Sequence, residues 1–339
     1  MTGNPAEGSL AKRMVLAAPM SYVAKRMTAT PATAHFVWFG EDLPWVYGLA
    51  LRSAALRGGF DRVVLHHERV LSQSSGFAAL TEIPGVETRV LDEAALLEAC
   101  PDGPALVDVY RELSHPAARS NLVRIAVLFG EGGVYLDTDT ITVRSFDDLR
   151  EPGVALCGQE RVVYPAGVRG ARDPRVRAAA FVRRSARALL REVPGGWRAF
   201  RHIERYYPAA VNNAVLGAPP RHPFISRLLG AALEVPPERR KVRFALGTHL
   251  LQQVVEEWRG RPGLAVHVPA VFYPLGPEIS AHWFRIGTAP LDEVLRPETR
   301  LVHWYASVRT RDLVPRIDAH YVEANAGRQL FSALARPLL

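Results

Sequence analysis

The sequence predicts an α/β fold, a mixed, mostly parallel sheet flanked by helices and carrying helical insertions. Apolar runs of strand length alternate with helix-length segments through the first half of the chain, Gly or Pro punctuates most boundaries, and the order strand, helix, strand implies parallel pairing. The 339 residues are 48% apolar, enough for a sizeable core, which excludes a disordered tail.

Taken in order, Ala34-His35-Phe36-Val37-Trp38-Phe39 reads as a buried strand stopped by Gly40, and a helix runs from about Pro44 to Leu56 before Gly58-Gly59. Arg62-Val63-Val64-Leu65-His66 is the second strand. Glu87 to Leu91 is the third, after a loop or short helical segment around 72–80. A long helix from about Pro116 to Phe129 is closed by Gly130-Glu131-Gly132-Gly133 and leads into the strand Val134-Tyr135-Leu136. The second half mixes helices at about 174–192, 222–233 and 248–258 with short strands at 154–157, 214–217, 265–268 and 301–304. No repeat or long linker interrupts it. The expected division is an N-terminal tail over 1–30, a single domain over 31–325 and a C-terminal helix or tail over 326–339.

Cys100 and Cys157 show no CxxC or Cys/His spacing, which suggests neither a disulfide framework nor a structural zinc site and leaves the thiols reduced. No apolar run approaches the roughly 20 residues needed to cross a bilayer. The short apolar stretch Met14 to Met20 lacks the features of a secretory signal, so the expected compartment is the cytoplasm. The net charge of +8 is concentrated: residues 169–205 hold eleven Arg against Asp173, Glu192 and Glu204, an excess equal to that of the whole chain. Within this segment Val176, Ala179, Ala180, Ala186, Leu189, Leu190 and Val193 recur at helical spacing between Arg183, Arg184, Arg187 and Arg191. This basic amphipathic helix could lie against an anionic membrane surface or meet a phosphate-bearing acceptor; the plainer reading is a solvated face. The confined charge and the lack of an aromatic-basic motif argue against a nucleic-acid binder.

The chemistry-bearing stretch runs from Ser120 to Asp139. Its helix is apolar on nearly every side and so should be buried, yet it carries Asn121 and Arg124. A buried guanidinium requires a partner, so Arg124 should face carboxylates, ligand oxygens, or both; a structural ion pair with Asp137 is the bland alternative. Asp137 and Asp139 end an apolar strand, and ligands bind at the carboxyl edge of parallel sheets. Two close carboxylates repel unless a cation neutralises them, and oxygen ligands suit Mg²⁺ or Mn²⁺ with a phosphate completing the shell. A metal-bridged diphosphate is the natural occupant.

Ser120-Asn121-Leu122-Val123-Arg124, followed by Gly132-Gly133-Val134-Tyr135-Leu136-Asp137-Thr138-Asp139, resembles the DXD sugar-binding segment of retaining glycosyltransferases of the α-1,4-galactosyltransferase, yeast initiating α-1,6-mannosyltransferase and large clostridial glucosylating toxin group. His35-Phe36-Val37-Trp38-Phe39-Gly40 looks like their N-terminal strand, whose Trp stacks on the nucleotide base. Asn212-Asn213-Ala214-Val215-Leu216 with His222-Pro223-Phe224 is similar to a further pair of family segments, and Phe272-Tyr273-Pro274 and His303-Trp304 match later landmarks. The resemblance covers about residues 34–310. It implies a GT-A-type, Rossmann-like fold and metal-dependent transfer, with retention, from a nucleotide sugar (a UDP-sugar) to a hydroxyl acceptor: glycan, glycolipid or natural product.

By the same resemblance, Asp137, Asp139 and Arg124 carry catalysis, and Asp139, Asp137 and His303 hold Mn²⁺ or Mg²⁺. Trp38, Phe36, Val37, Asn121, Arg124, Tyr135 and Asp137 contact the donor. Three positions depart from the family pattern: Asn121 where Asp is usual, Asn213 where Gly is usual, and Gly247-Thr248 where Gly-Pro is common. Trp38 could instead be core, and His303 a satisfied buried histidine. His222 is expected to cap or pack at a helix start, while Glu160, His249 and Gln252 could line the acceptor side. A haloacid dehalogenase-type phosphatase also places Asp-x-Asp after an apolar strand, but Ile141 stands where its Thr is required. A non-catalytic sugar-nucleotide-binding or partner subunit is a third reading, and Asn121 is its main support.

Overall fold

The computed structural model describes residues 28–73, 77–164, 172–287, 290–308 and 310–339. Most of the expected N-terminal tail lies outside these residues. Among the described residues nine strands form: β1 (Thr33–Trp38), β2 (Arg62–His67), β3 (Val86–Val90), β4 (Gly133–Leu136), β5 (Thr140–Thr142), β6 (Ala155–Arg161), β7 (Ala209–Ala218), β8 (Leu264–His267) and β9 (Leu301–His303). Seven make one sheet in the order β3-β2-β1-β4-β7-β6-β8, while β5 and β9 form a separate antiparallel ribbon. Within the large sheet only β7 runs against its neighbours, β4 and β6. This is the mixed, mostly parallel, helix-flanked architecture that the sequence predicts.

Among the described residues, the helices of eight or more residues are α1 (Trp45–Arg57), α2 (Gly103–Arg111), α3 (Pro116–Glu131), α4 (Pro174–Glu192), α5 (Gly196–Ile203), α6 (Pro223–Glu234) and α7 (Thr248–Glu257). Pro116 opens α3, where a missing N–H costs nothing, and Leu122 to Leu128 are buried without a break. Helix α3 packs with α6 and α7 in one apolar cluster that includes Val123, Val127, Phe224, Leu228, Leu251 and Val254. Gly132 and Gly133, both at positive φ, then turn the chain sharply into β4. A Cβ on Gly133 would lie 2.6 Å from the Thr33 carbonyl oxygen, so glycine is what lets β4 enter the sheet against β1.

Helix α2 has no counterpart in the sequence reading. Pro104 sits in the first turn of this helix, which buries Leu106, Val107, Val109 and Tyr110. The C-terminal helix Leu330–Ala335 packs into the core: Phe331, Leu334 and Leu338 join Trp283 and Trp304 in a second cluster. Both cysteines are buried and unpaired, and no helix among the described residues is long and apolar enough to cross a membrane.

Helix α4 has the expected bounds, but its inward face mixes Ala180 and Leu190 with arginines in place of a simple apolar-in arrangement. Ala180 is its one buried residue, and Leu189, with Phe181 and Val182, is about two-thirds exposed. Arg187 and Arg191 point inward, 14% and 16% exposed. The reason is a distant carboxylate: Glu278 takes the Arg187 guanidinium at 2.6 Å and also accepts the Val163 N–H at 2.7 Å.

Beneath the turn into β4, two buried imidazoles stitch the sheet together. His35 Nε2–H donates to the Gly132 carbonyl at 3.0 Å, which makes His35 Nδ1 the acceptor for His66 Nε2–H at 3.1 Å. Burial, with smaller contributions from Arg89 and the neighbouring groups, pushes His35 down to about 4 and His66 down to about 3. Both are neutral in the fold and protonate near 6.5 once unfolded, so the unfolded chain takes up protons that the native chain refuses. Stability should therefore fall as the pH drops below about 6.5, by up to about 1.4 kcal/mol per pH unit for each imidazole. Urea unfolding between about pH 7 and pH 5 checks this, and His66→Gln, which keeps an N–H donor without the titration, should flatten the slope.

Candidate active site

The register of the sheet assembles the site. Ala34 and His35 of β1 lie opposite Val134 and Tyr135 of β4, so the strands deliver Val37, Trp38 and Asp137 to one carboxyl edge. Beyond β4 the chain turns, with the Thr140 hydroxyl donating to the Asp137 carbonyl at 2.7 Å, and enters the ribbon in which Thr140 faces His303. Asp139 is fixed at that turn: its carbonyl accepts the Trp304 N–H at 3.0 Å, and its carboxylate takes both a side chain and a backbone donor from the same C-terminal segment.

Oδ1 of Asp139 lies 3.0 Å from His303 Nε2, and Oδ2 accepts the Ala306 N–H at 2.8 Å. Tyr305 stands between them with φ +59°, an uncommon conformation for a residue with a side chain, and this turn places the Ala306 N–H on Asp139. The Tyr305 hydroxyl donates to Glu160 Oε2 at 2.7 Å, and the Asn212 amide donates to the same oxygen at 2.8 Å. Glu160 is thus a buried carboxyl beside Asn212 that braces the turn from β6. Asp137, Asp139 and His303 each offer one ligand atom, all within 4.8 Å of one another.

Arg124 does what a buried guanidinium must. It pairs with Asp137 Oδ1 at 3.1 Å, donates to the Asn213 carbonyl at 2.6 Å and to the Ser120 carbonyl and hydroxyl, and sits 4.2 Å from the centre of the Tyr135 ring. Tyr135, itself buried, donates its hydroxyl to Asp137 Oδ1 at 2.8 Å. The ion pair with Asp137 that the sequence left as the bland alternative is therefore present, and it holds one of the two carboxylates in place.

The three departures from the family pattern meet at one point. Asn213 Nδ2 donates to Asn121 Oδ1 at 2.8 Å, and a Cβ on Gly247 would approach Asn121 Nδ2 to 2.8 Å and Asn213 Nδ2 to 3.2 Å. Asn121, Arg124, Asn213 and Gly247 line a small cavity closed by Leu246 and Leu250. Trp38 is half-buried, its indole N–H donating to the Asp42 carbonyl at 3.0 Å and its ring 4.9 Å from that of Tyr47, which in turn stacks on Trp304. Phe36 and Val37 are buried in cores on opposite faces of the sheet, so their side chains are committed to packing. His222 caps α6, its Nδ1 accepting the Phe224 N–H at 3.2 Å. Gln252 is occupied by the Val211 N–H, and His249 packs edge-on against the ring of Phe244.

The electrostatics follow from burial and pairing. Burial alone would raise the Asp139 carboxyl, but the charge and hydrogen bond of His303 and the Ala306 N–H outweigh it and hold the group below the usual carboxylate range. Burial would likewise depress His303, and Asp139 overrides it and raises the imidazole. Glu160 is pushed up by burial despite its bonds from Tyr305 and Asn212. Burial and the nearby Asp139 push the Tyr47 phenol up to about 12. Sequence reasoning missed Tyr47 and the Ala306 N–H; the first carries no motif, and the second exists only through the backbone of Tyr305.

Residues 20–154 match the family described as the glycosyltransferase sugar-binding region containing DXD motif. No curated protein matches the chain. Among solved structures, the chain is similar to a PaToxG glycosyltransferase, with 14% identity, TM-score 0.47, and coverage of 92% of this chain and 88% of that one. It is also similar to mouse xyloside xylosyltransferase 1 in its apo form (13% identity, TM-score 0.44, 81% and 98% covered). A third similar structure is the UDP-bound glycosyltransferase domain from the YGT toxin (11% identity, TM-score 0.40, 71% and 80% covered). The matched segment contains Asp137-Thr138-Asp139, Arg124 and Trp38.

The Asn121, Asn213 and Gly247 contact has a direct consequence. Gly247→Ala should press a methyl group into the Asn121 amide and destabilise the fold by about 1–3 kcal/mol. Denaturant unfolding measures it, and adding Asn121→Ala should restore most of the loss; additive losses in the double variant would show that the two positions do not touch.

Proposed function

We propose that the protein is a metal-dependent glycosyltransferase that moves a sugar from a nucleoside diphosphate donor, a UDP-sugar, to a hydroxyl acceptor with retention of configuration. The observation that carries this reading is the Asp139 carboxylate, held by His303 and the Ala306 N–H at the carboxyl edge of β4 within reach of Asp137. The donor set fits a divalent ion: two carboxylates and an imidazole whose Nδ1 is buried without a hydrogen-bond partner. Asp139, Asp137 and His303 would hold Mn²⁺ or Mg²⁺. Such an ion supplies charge neutralisation for the departing diphosphate.

The chain's own groups do the rest. Arg124 fixes the Asp137 carboxylate and brings positive charge beside the donor. The Trp38 ring, backed by Tyr47, offers a face for the uracil, and the Asn121 amide meets a sugar hydroxyl. In the transfer, the bond between the anomeric carbon and the diphosphate oxygen breaks, the acceptor oxygen bonds to that carbon, and the acceptor proton passes to the leaving phosphate. One observation favours the alternative of a subunit that binds the donor without turning it over: the Asn121 carbonyl is already engaged by Asn213.

Asp139→Asn should leave a folded protein but lower transfer by a factor of 10² or more and remove metal-dependent donor binding. Thermal unfolding across a panel of sugar nucleotides with and without Mn²⁺, alongside product formation, reads both effects; a ligand at 100 times its Kd adds about 2.7 kcal/mol. A donor that raises the melting temperature only with Mn²⁺ supports the reading. Undiminished turnover in Asp139→Asn overturns it, and binding without turnover across many acceptors favours the non-catalytic alternative.

A further inference from the structure

We propose that the outward face of helix α4 docks on an anionic lipid bilayer, a surface independent of the transfer reaction. At about 100° per residue, Phe181, Ser185, Ala178, Leu189 and Val182 fall within a single arc of about 100°. Phe181, Val182 and Leu189 are 66%, 65% and 66% exposed, so this arc is an apolar ridge turned to solvent. Arg175 borders it on one side, and Arg177 and Arg184 border it on the other. All three are exposed and make no ion pair among the described residues. Glu192, at the C-terminal end of the ridge, is neutralised by Arg191 and Arg285.

The opposite face explains why this exposure is not incidental. The helix buries guanidinium groups while leaving its phenylalanine outside: Arg187 is clamped by Glu278, and Nε of Arg183, Nε of Arg187 and Nη1 of Arg191 are buried without a hydrogen-bond partner. Burying unsatisfied polar atoms costs free energy, and exposing large apolar side chains forgoes a gain. The Arg187–Glu278 pair and the packing of Leu190 against the second core cluster hold that face inward, which leaves Phe181, Val182 and Leu189 in solvent. An apolar phase over the ridge would recover the burial that it forgoes in water.

The character of the flanks selects a bilayer as that phase. Guanidinium forks on both sides of the ridge match phosphate oxygens in the plane of a membrane. At 19 residues α4 is about 28 Å long. It cannot cross the bilayer, because no described helix is long and apolar enough, and it would lie in the interface.

Co-sedimentation of the full chain with large unilamellar vesicles tests this, comparing phosphatidylcholine alone with phosphatidylcholine containing phosphatidylserine. Binding should appear with the anionic vesicles and weaken as salt rises. Phe181→Ser with Leu189→Ser, and separately Arg175→Glu with Arg177→Glu and Arg184→Glu, should each reduce the bound fraction tenfold or more at fixed lipid. Thermal unfolding of both variants should stay near that of the parent, since none of these side chains packs in the core. The proposal is overturned if the parent protein does not bind anionic vesicles, or if both folded variants bind as well as it does. It is also overturned if sizing shows that the serine variant converts a dimer to a monomer, which would assign the ridge to a second copy of the chain.

Discussion

The site depends on the Asp139 carboxylate being held from the far end of the chain. Its two oxygens and its carbonyl take His303, the Ala306 N–H and the Trp304 N–H, from the last residue of β9 and the segment that follows it. A mostly buried carboxylate left without these donors would be strongly disfavoured. Trp304 in turn packs against Phe284 and Phe331, so the edge of the sheet, the ribbon of β5 and β9 and the C-terminal helices form one mechanical unit. The carboxylate is positioned before any ligand arrives, which is the arrangement that charge stabilisation requires.

A second brace comes from within. Glu160 on β6 receives the hydroxyl of Tyr305 and the amide of Asn212, while Asn212 uses its own carbonyl to accept the Ala214 N–H. Tyr305 is thereby held in a left-handed turn, and that turn aims the Ala306 N–H. On the other flank, Arg124 and Tyr135 share the duty of fixing Asp137. The two aspartates are thus oriented by unrelated sets of neighbours, one set on α3 and β4, the other on β6 and the C-terminal segment.

Much of this was legible in the sequence, and the reasons are specific. The apolar run 134–136, its preceding glycines and the following Asp-x-Asp placed two carboxylates at a sheet edge, and the buried helix carrying Arg124 demanded a carboxylate nearby. The bounds of α4 followed from its periodicity, but its facing did not, because the facing is decided by Glu278, 91 residues away from Arg187. Helix α2 was hidden by prolines that start helices as readily as they end strands. The junction of Asn121, Asn213 and Gly247 brings together three segments that only the fold makes neighbours. It also gives the three family departures a common physical setting: an amide pair in place of a carboxylate, with a glycine making room for it.

The most direct test of the central claim is anomalous diffraction at the manganese edge from crystals grown with Mn²⁺ and UDP. A single strong peak within coordination distance of Asp139 and His303, with the diphosphate on its open side, is what the account predicts. A peak at some other site, or clear density for UDP with no metal between these residues, would contradict it.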